Sequence, residues 1–121
     1  MKVAVIGSRG LMLNDFSKFL PPETMEIVTG GARGIDTCAE KYAKQNGIYV
    51  KVFLPQYEKY GKCAPLKRNI EIIDYSDIVL AFWDGNSRGT KYVIDKCKEK
   101  NKPIKIFIFN GANLNDNKST L

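Results

Sequence analysis

Three glycine-rich segments carry the residue types best suited to hold an anion. They are Gly7-Ser8-Arg9-Gly10, Thr29-Gly30-Gly31-Ala32-Arg33-Gly34 and Asp84-Gly85-Asn86-Ser87-Arg88-Gly89-Thr90. Each holds an arginine, whose planar fork of donors matches phosphate or carboxylate. Ser8, Thr29, Ser87 and Thr90 add hydroxyl groups, each of which could equally cap a turn or helix. Asp36 and Asp84 could accept ribose hydroxyls or orient an arginine. For Asp36 the orienting role is favoured, since Arg33 lies three residues before it. Trp83, the only tryptophan, could stack on a base, but packing within its strand is the preferred reading.

These segments need elements to position them. Lys2-Val3-Ala4-Val5-Ile6 is a nearly continuous β-branched and apolar run, the pattern of a strand covered on both faces. A weak helix is expected from about Leu11 to Leu20, stopped by Pro21-Pro22. A strand over 25–29 leads into the second glycine-rich turn. A helix over 33–46 follows, with Ile35, Cys38, Ala39, Tyr42 and Ala43 recurring on one face and Gly47 closing it. A third strand spans 49–54. Residues 56–63 read as a polar loop with two tyrosines, either covering a site or inert. A third helix starts near Ala64-Pro65, with Leu66, Ile70 and Ile73 as its apolar stripe and Arg68 and Asn69 off it. A fourth strand spans 78–83. The helix after the third turn presents Thr90, Val93, Ile94 and Cys97 on one face, and a fifth strand covers 104–109. The polar tail from Asn110 onward is expected to fray.

Alternating strands and helices predict an α/β fold: a Rossmann-like three-layer α/β/α sandwich with a five-stranded parallel sheet. The glycine-rich turns follow strands one, two and four. In such a sheet all three open on the carboxyl edge, where ligands bind near the topological switch point. Each turn alone has a purely geometric explanation. Their shared rim points to one site for a phosphate-containing ligand, held by backbone N–H groups and helix dipoles.

Composition narrows the chemistry. The 121 residues suit one domain over 1–110 followed by a tail over 111–121, and 44% hydrophobic with 26% charged residues is ordinary for a soluble globule. No apolar run is long enough to span a bilayer, and the first residues read as a strand rather than a signal peptide, so no membrane association and a cytoplasmic location are expected. The absence of histidine removes Ser-His-Asp and Cys-His catalysis and every His-based metal site. The three cysteines have no metal-binding or redox spacing; Cys38 and Cys97 read as small core residues. No catalytic residue and no metal ligand is assigned. The net charge of +6 is uneven: residues 88–105 hold seven basic side chains against Asp95 and Glu99. Such a run suits an anionic partner, but a solvated lysine-rich helix face is the preferred reading.

Gly7-Ser8-Arg9, Thr29-Gly30-Gly31-Ala32-Arg33-Gly34-Ile35-Asp36, Arg68-Asn69 and the 84–90 turn, in this order, resemble the SLOG superfamily of Rossmann-like domains. That superfamily includes the DNA-processing protein DprA (Smf) and the LOG cytokinin-activating phosphoribohydrolases. The small stand-alone bacterial YspA-like proteins are the nearest likeness, over about residues 2–108. The resemblance implies a ligand that is a nucleotide or nucleotide-derived, ADP-ribose-like molecule, with no other cofactor. The candidate binding set is Gly7, Ser8, Arg9, Thr29, Gly30, Gly31, Arg33, Gly34, Asp36, Arg68, Asn69, Asp84, Gly85, Ser87, Arg88, Gly89 and Thr90. It also implies a homodimer or higher homo-oligomer formed through helices, with Tyr92 as a candidate contact. LOG enzymes carry a catalytic Glu where this chain has Val93, and Glu99 is too far along the helix to replace it. LOG-type hydrolysis is therefore disfavoured. A nucleotide-processing hydrolase using Asp36 or Asp84 remains an alternative. So does DprA-like binding of single-stranded nucleic acid through Lys91, Lys96, Lys98 and Lys102 with Tyr57 and Tyr60.

Overall fold

In the computed structural model, which describes residues 1–109, five strands form one all-parallel sheet. They are β1 (Lys2–Gly7), β2 (Glu26–Thr29), β3 (Tyr49–Val52), β4 (Ile78–Trp83) and β5 (Ile104–Ile108), in the order β3-β2-β1-β4-β5. The expected tail over 111–121 lies outside the described residues. Val3, Ala4, Val5, Val79, Leu80, Ala81 and Phe82 are fully buried, as the unbroken apolar runs of the two central strands require. The chain builds outward from β1 in one direction through β2 and β3. It then returns to the other side for β4 and β5, so the order reverses between β1 and β4.

Helices cover both faces. On one lies α1 (Ile35–Gln45), whose Ile35, Ala39 and Ala43 pack on Val3, Val5, Ile27, Leu80 and Phe82. On the other lie α3 (Ala64–Tyr75) and α4 (Arg88–Glu99), which cover Ala4, Ile6, Val28, Val79 and Ala81. Thr90, Val93, Ile94 and Cys97 of α4 are the buried positions, the stripe its sequence spacing predicts.

The sequence reading differs from this structure in three places. Residues 11–20 form no helix. Leu11, Leu13 and Phe16 are buried in an irregular path, and the phenylalanine rings substitute for a helical layer: Phe16 meets Tyr42 and Phe82 edge-on at 5.6 Å each, and Phe19 meets Phe107 at 4.9 Å. Asp15 accepts the N–H of Ser17 at 2.8 Å, and Phe16 C=O accepts from Phe19 and Leu20. Side chain-to-backbone bonds of this kind compete with helix formation. The loop over 56–63 is instead a short helix, α2 (Tyr57–Tyr60), and a 3-10 turn over 61–63, with no buried residue in either. On α3 the buried positions are Ala64, Arg68, Ile72 and Ile73, while Leu66 is 40% exposed. Arg68 therefore lies on the inward stripe, not off it.

A candidate anion-binding cleft at the switch point

The carboxyl ends of β1 and β4 are held open side by side. Ser8 follows β1, and its N–H donates to Phe82 C=O at 2.9 Å. Its Oγ accepts the Asp84 N–H at 3.1 Å and shares a hydrogen bond with Ser87 Oγ at 2.8 Å. One buried serine thus ties the first turn to the third. Gly7 is needed for this approach, because a Cβ there would lie 2.6 Å from Phe82 C=O and 2.7 Å from Ile35. Gly34 is needed for the second turn: its φ is 78°, and a Cβ would lie 2.5 Å from Arg9 C=O.

The turns enclose a cleft of about 390 Å³ lined by Gly7, Ser8, Arg9, Asp36, Arg68, Asn69, Asp84, Ser87, Arg88, Gly89 and Thr90. Ile6, Gly10, Ala32, Pro65, Leu66 and Val93 complete its wall. A second lobe of about 290 Å³ adds Gly30, Gly31, Arg33, Leu54, Pro55 and Tyr57, and shares Arg9, Ala32, Pro65 and Arg68 with the first. Of the residues singled out in the sequence, three line neither lobe. Thr29 is wholly buried and its hydroxyl has no hydrogen-bond partner among the described residues; Gly34 packs behind the turn; Gly85 lies outside the wall. Leu54, Pro55, Pro65 and Leu66 went unnoticed, since apolar residues at loop and helix starts carry no distinguishing sequence pattern.

The second and third turns use their backbone donors differently. Asp36, 5% exposed, accepts the N–H groups of Gly30 at 3.1 Å and Ala32 at 3.3 Å. Gly30 C=O in turn accepts from Arg68 Nη1, and Phe53 C=O accepts from the same nitrogen at 3.3 Å. Arg68 Nε donates to Asn69 at 2.8 Å. The Gly30 peptide thus links a buried carboxylate to a buried guanidinium. The expected orienting of Arg33 by Asp36 is not found: Arg33 is exposed, and Arg68 is the arginine on this network. Burial pushes the Asp36 carboxyl up to about 6, against the opposing pull of the Ala32 N–H, the Arg68 charge and the Gly30 N–H. Burial likewise pulls Arg68 below its ordinary value, opposed by the Asp36 charge.

In the third turn Asp84 stands before the helix. Its Oδ1 accepts the N–H groups of Asn86 at 2.8 Å and Ser87 at 2.7 Å. Partial burial of Asp84 works against its ionisation. The N–H groups of Ser87 and Asn86, with the Ser8 hydroxyl, outweigh this and hold the carboxyl below its ordinary value. Helix α4 itself begins with no side-chain cap and no acidic residue in its first turn. Its first N–H groups, those of Arg88, Gly89 and Thr90, lack an acceptor among the described residues. Thr90 lines the cleft at 5% exposure, and its hydroxyl also has no partner among the described residues. Arg9, Arg33 and Arg88 are exposed, and none forms an ion pair among the described residues. Four arginines against two aspartates leave the cleft positive.

Elsewhere the basic run is largely engaged. Lys91 pairs with Asp95 at 3.0 Å, Lys96 with Glu99 at 3.4 Å and Lys100 with Asp74 at 2.9 Å; Lys102 donates to Ser76 C=O. Trp83 packs in the sheet–helix layer, with Nε1–H donating to Ser87 C=O at 3.0 Å. Val93 is 3% exposed and borders the cleft, so the position at issue for LOG-type chemistry is apolar and packed. No helix among the described residues is long and apolar enough to cross a membrane.

The family model described as the YspA, cpYpsA-related SLOG family (YAcAr) matches residues 1–60. A protein of Mycobacterium phage D29 described as Gene 61 protein is 34% identical over 89 residues, which cover 69% of this chain and 71% of that protein. No solved structure matches.

Proposed function

This chain belongs to the YspA, cpYpsA-related SLOG family, and from that premise and the cleft we propose that it binds a nucleotide or nucleotide-derived ligand through its phosphates. The observation that carries the proposal is the open start of α4: among the described residues three N–H groups have no acceptor, the Thr90 hydroxyl has no partner and Arg88 has no ion pair, all at the point where strand order reverses. An anion seated there gains backbone hydrogen bonds and the positive end of the helix dipole. Arg9 approaches from the first turn, and Ser8 and Ser87 hold the two turns at the spacing the site needs. The test is calorimetry and thermal denaturation with ATP, NAD and ADP-ribose. A ligand at 100 times its Kd adds about 2.7 kcal/mol to stability. A rise in Tm with saturable heat supports the reading; no heat and no shift across all three probes refutes it.

A second reading, a nucleotide hydrolase, is favoured by one observation, the cleft carboxyl of Asp36 held near 6. A group poised near neutrality suits general acid–base work. Its carboxylate is already engaged by two N–H groups, and Val93 offers no second proton carrier. We expect no multiple-turnover release of base from AMP, measured by chromatography of free adenine; such turnover would place the hydrolase reading first.

A further inference from the structure

The cleft's second lobe is built unlike the first. Its floor is the Gly30-Gly31 turn, two of whose N–H groups are engaged within the protein: Asp36 accepts from Gly30 and Ala32. To reach those two groups a phosphate would have to displace the protein's own carboxylate. Part of the lobe's wall is apolar, made by Leu54, Pro55 and Tyr57, and Arg9, Arg33 and Arg68 line the rest. Leu54 is 64% exposed and Tyr57 is 61% exposed. The Tyr57 ring packs against no other aromatic ring and under no cation among the described residues, whereas Tyr60 three positions on has both Lys59 and Lys67 over it. An exposed, unstacked aromatic ring beside an exposed leucine, opening into a basic cleft, is a surface that lacks its planar partner.

We propose that the second lobe is a nucleobase subsite, in which the base of the ligand stacks on Tyr57 against Leu54 and Pro55 while its phosphates occupy the first lobe at the start of α4. This rests on the phosphate-binding reading above and extends it to the ligand's other end. The two lobes adjoin, with Arg9, Ala32, Pro65 and Arg68 lining both, which sets them within reach of one extended molecule. Arg9 is exposed at the junction, where a ribose–phosphate link would pass, and the donors of Arg68 are turned inward onto Gly30 and Phe53 C=O. The division of labour follows from the linings: the first lobe holds the start of α4, whose first N–H groups lack an acceptor among the described residues, and the second holds the apolar face of Leu54, Pro55 and Tyr57 beside the exposed Arg33. A stacking wall of this kind tolerates different bases, because every base offers a π-face and no side chain amide lines the lobe to read its edge. The ligand class is therefore a nucleoside diphosphate or a longer diphosphate-bridged nucleotide.

The experiment compares ADP with inorganic pyrophosphate by titration calorimetry on the wild-type chain, Tyr57→Ala, Tyr57→Phe and Arg88→Ala. In the wild type ADP should bind at least tenfold more tightly than pyrophosphate. Tyr57→Ala should weaken ADP by about 5- to 100-fold, the range for loss of one base–aromatic stack, and leave pyrophosphate unchanged. Tyr57→Phe should retain the ADP affinity within about twofold, since it keeps the ring. Arg88→Ala should weaken both probes. If ADP binds as tightly to Tyr57→Ala as to the wild type, the nucleobase subsite is refuted and the phosphate site stands. If neither probe binds the wild type, both readings fall. Tyr57 is 61% exposed, so its variants should fold; an unchanged thermal midpoint without ligand checks this.

Discussion

Two glycine-rich turns at the same sheet edge have opposite internal accounts. The turn after β2 looks in sequence like the stronger anion cradle, with three glycines, an arginine and a helix directly behind. In the fold it already holds an anion, Asp36, bound to the Gly30 and Ala32 N–H groups and braced by Arg68 through the Gly30 C=O. The turn after β4 has only two glycines, and its aspartate is spent on the loop before the helix. The first N–H groups of α4 have no acceptor among the described residues, with Arg88 and Thr90 beside them. A glycine-rich turn before a helix is thus a necessary cradle for phosphate but not a sufficient one. What decides is whether a side chain of the protein has already claimed its donors.

The largest expected effect comes from breaking the filled turn's geometry. Gly34→Ala places a Cβ at φ 78° and 2.5 Å from a main-chain oxygen that cannot move aside cheaply. Its cost should be about 3 kcal/mol or more, read from the urea midpoint; a loss below about 1 kcal/mol would show that the turn is not packed this tightly. The next effect is electrostatic. Asp36 titrates near 6 when folded against 3.8 as its reference value, so the folded state holds the proton more tightly. Its contribution to stability is full below about pH 4 and is lost as pH rises through 6, by up to about 3 kcal/mol. Asp36→Asn does not titrate, so the stability of the wild type relative to this variant should fall between pH 4 and 7. A difference that stays flat across that window would contradict the burial argument.

Smaller effects separate the turns by ligand binding. Arg88→Ala should weaken ADP by about 1.5–3 kcal/mol, as for a lost charge-assisted hydrogen bond, with the fold unaffected. Arg33→Ala, beside the filled turn, should cost less than about 1 kcal/mol. Equal losses, or the reverse order, would erase the distinction between the turns. Gly89→Ala is the finest probe. A Cβ there meets nothing within 4 Å, and the position is helical, so the free protein should gain about 0.5 kcal/mol. The same methyl group would stand at the open N–H groups, so ADP affinity should drop while stability rises.

Much of the fold is legible in the chain because strands covered on both faces leave unbroken apolar runs. Residues 2–6 and 78–83 need no partner to be recognised. The inner face of α4 is equally plain, since Thr90, Val93, Ile94 and Cys97 repeat with helical spacing. Arg68 is legible as a candidate site residue, but its inward position on α3 is not. Periodicity treats arginine as polar, yet here it occupies a core-facing position because carbonyls 38 and 15 residues away accept its protons. Asp36 is misassigned for the same reason: its nearest arginine in sequence is Arg33, and its partners in space are two N–H groups and Arg68. The segment 11–20 has enough apolar residues for a helix, but Asp15 and Ser17 close a local turn, and the phenylalanines fill the layer without one. The apolar wall of the second lobe escaped because exposure is a tertiary property. Leu54 reads as the end of the third strand and Tyr57 as part of a loop that either covers a site or is inert, and only their neighbours show that both are left uncovered.

The central claim is that phosphate binds at the start of α4 and not at the turn after β2. It is tested by titrating the uniformly ¹⁵N-labelled chain with inorganic pyrophosphate, which carries no base to shift the amides of the second lobe, and following each backbone amide by NMR. The account predicts the largest shifts at the amides of Arg88, Gly89 and Thr90, with those of Gly30 and Ala32 remaining close to their positions in the free protein because Asp36 continues to hold them. Large shifts centred on Gly30, Gly31 and Ala32, with Gly89 and Thr90 unmoved, would contradict it.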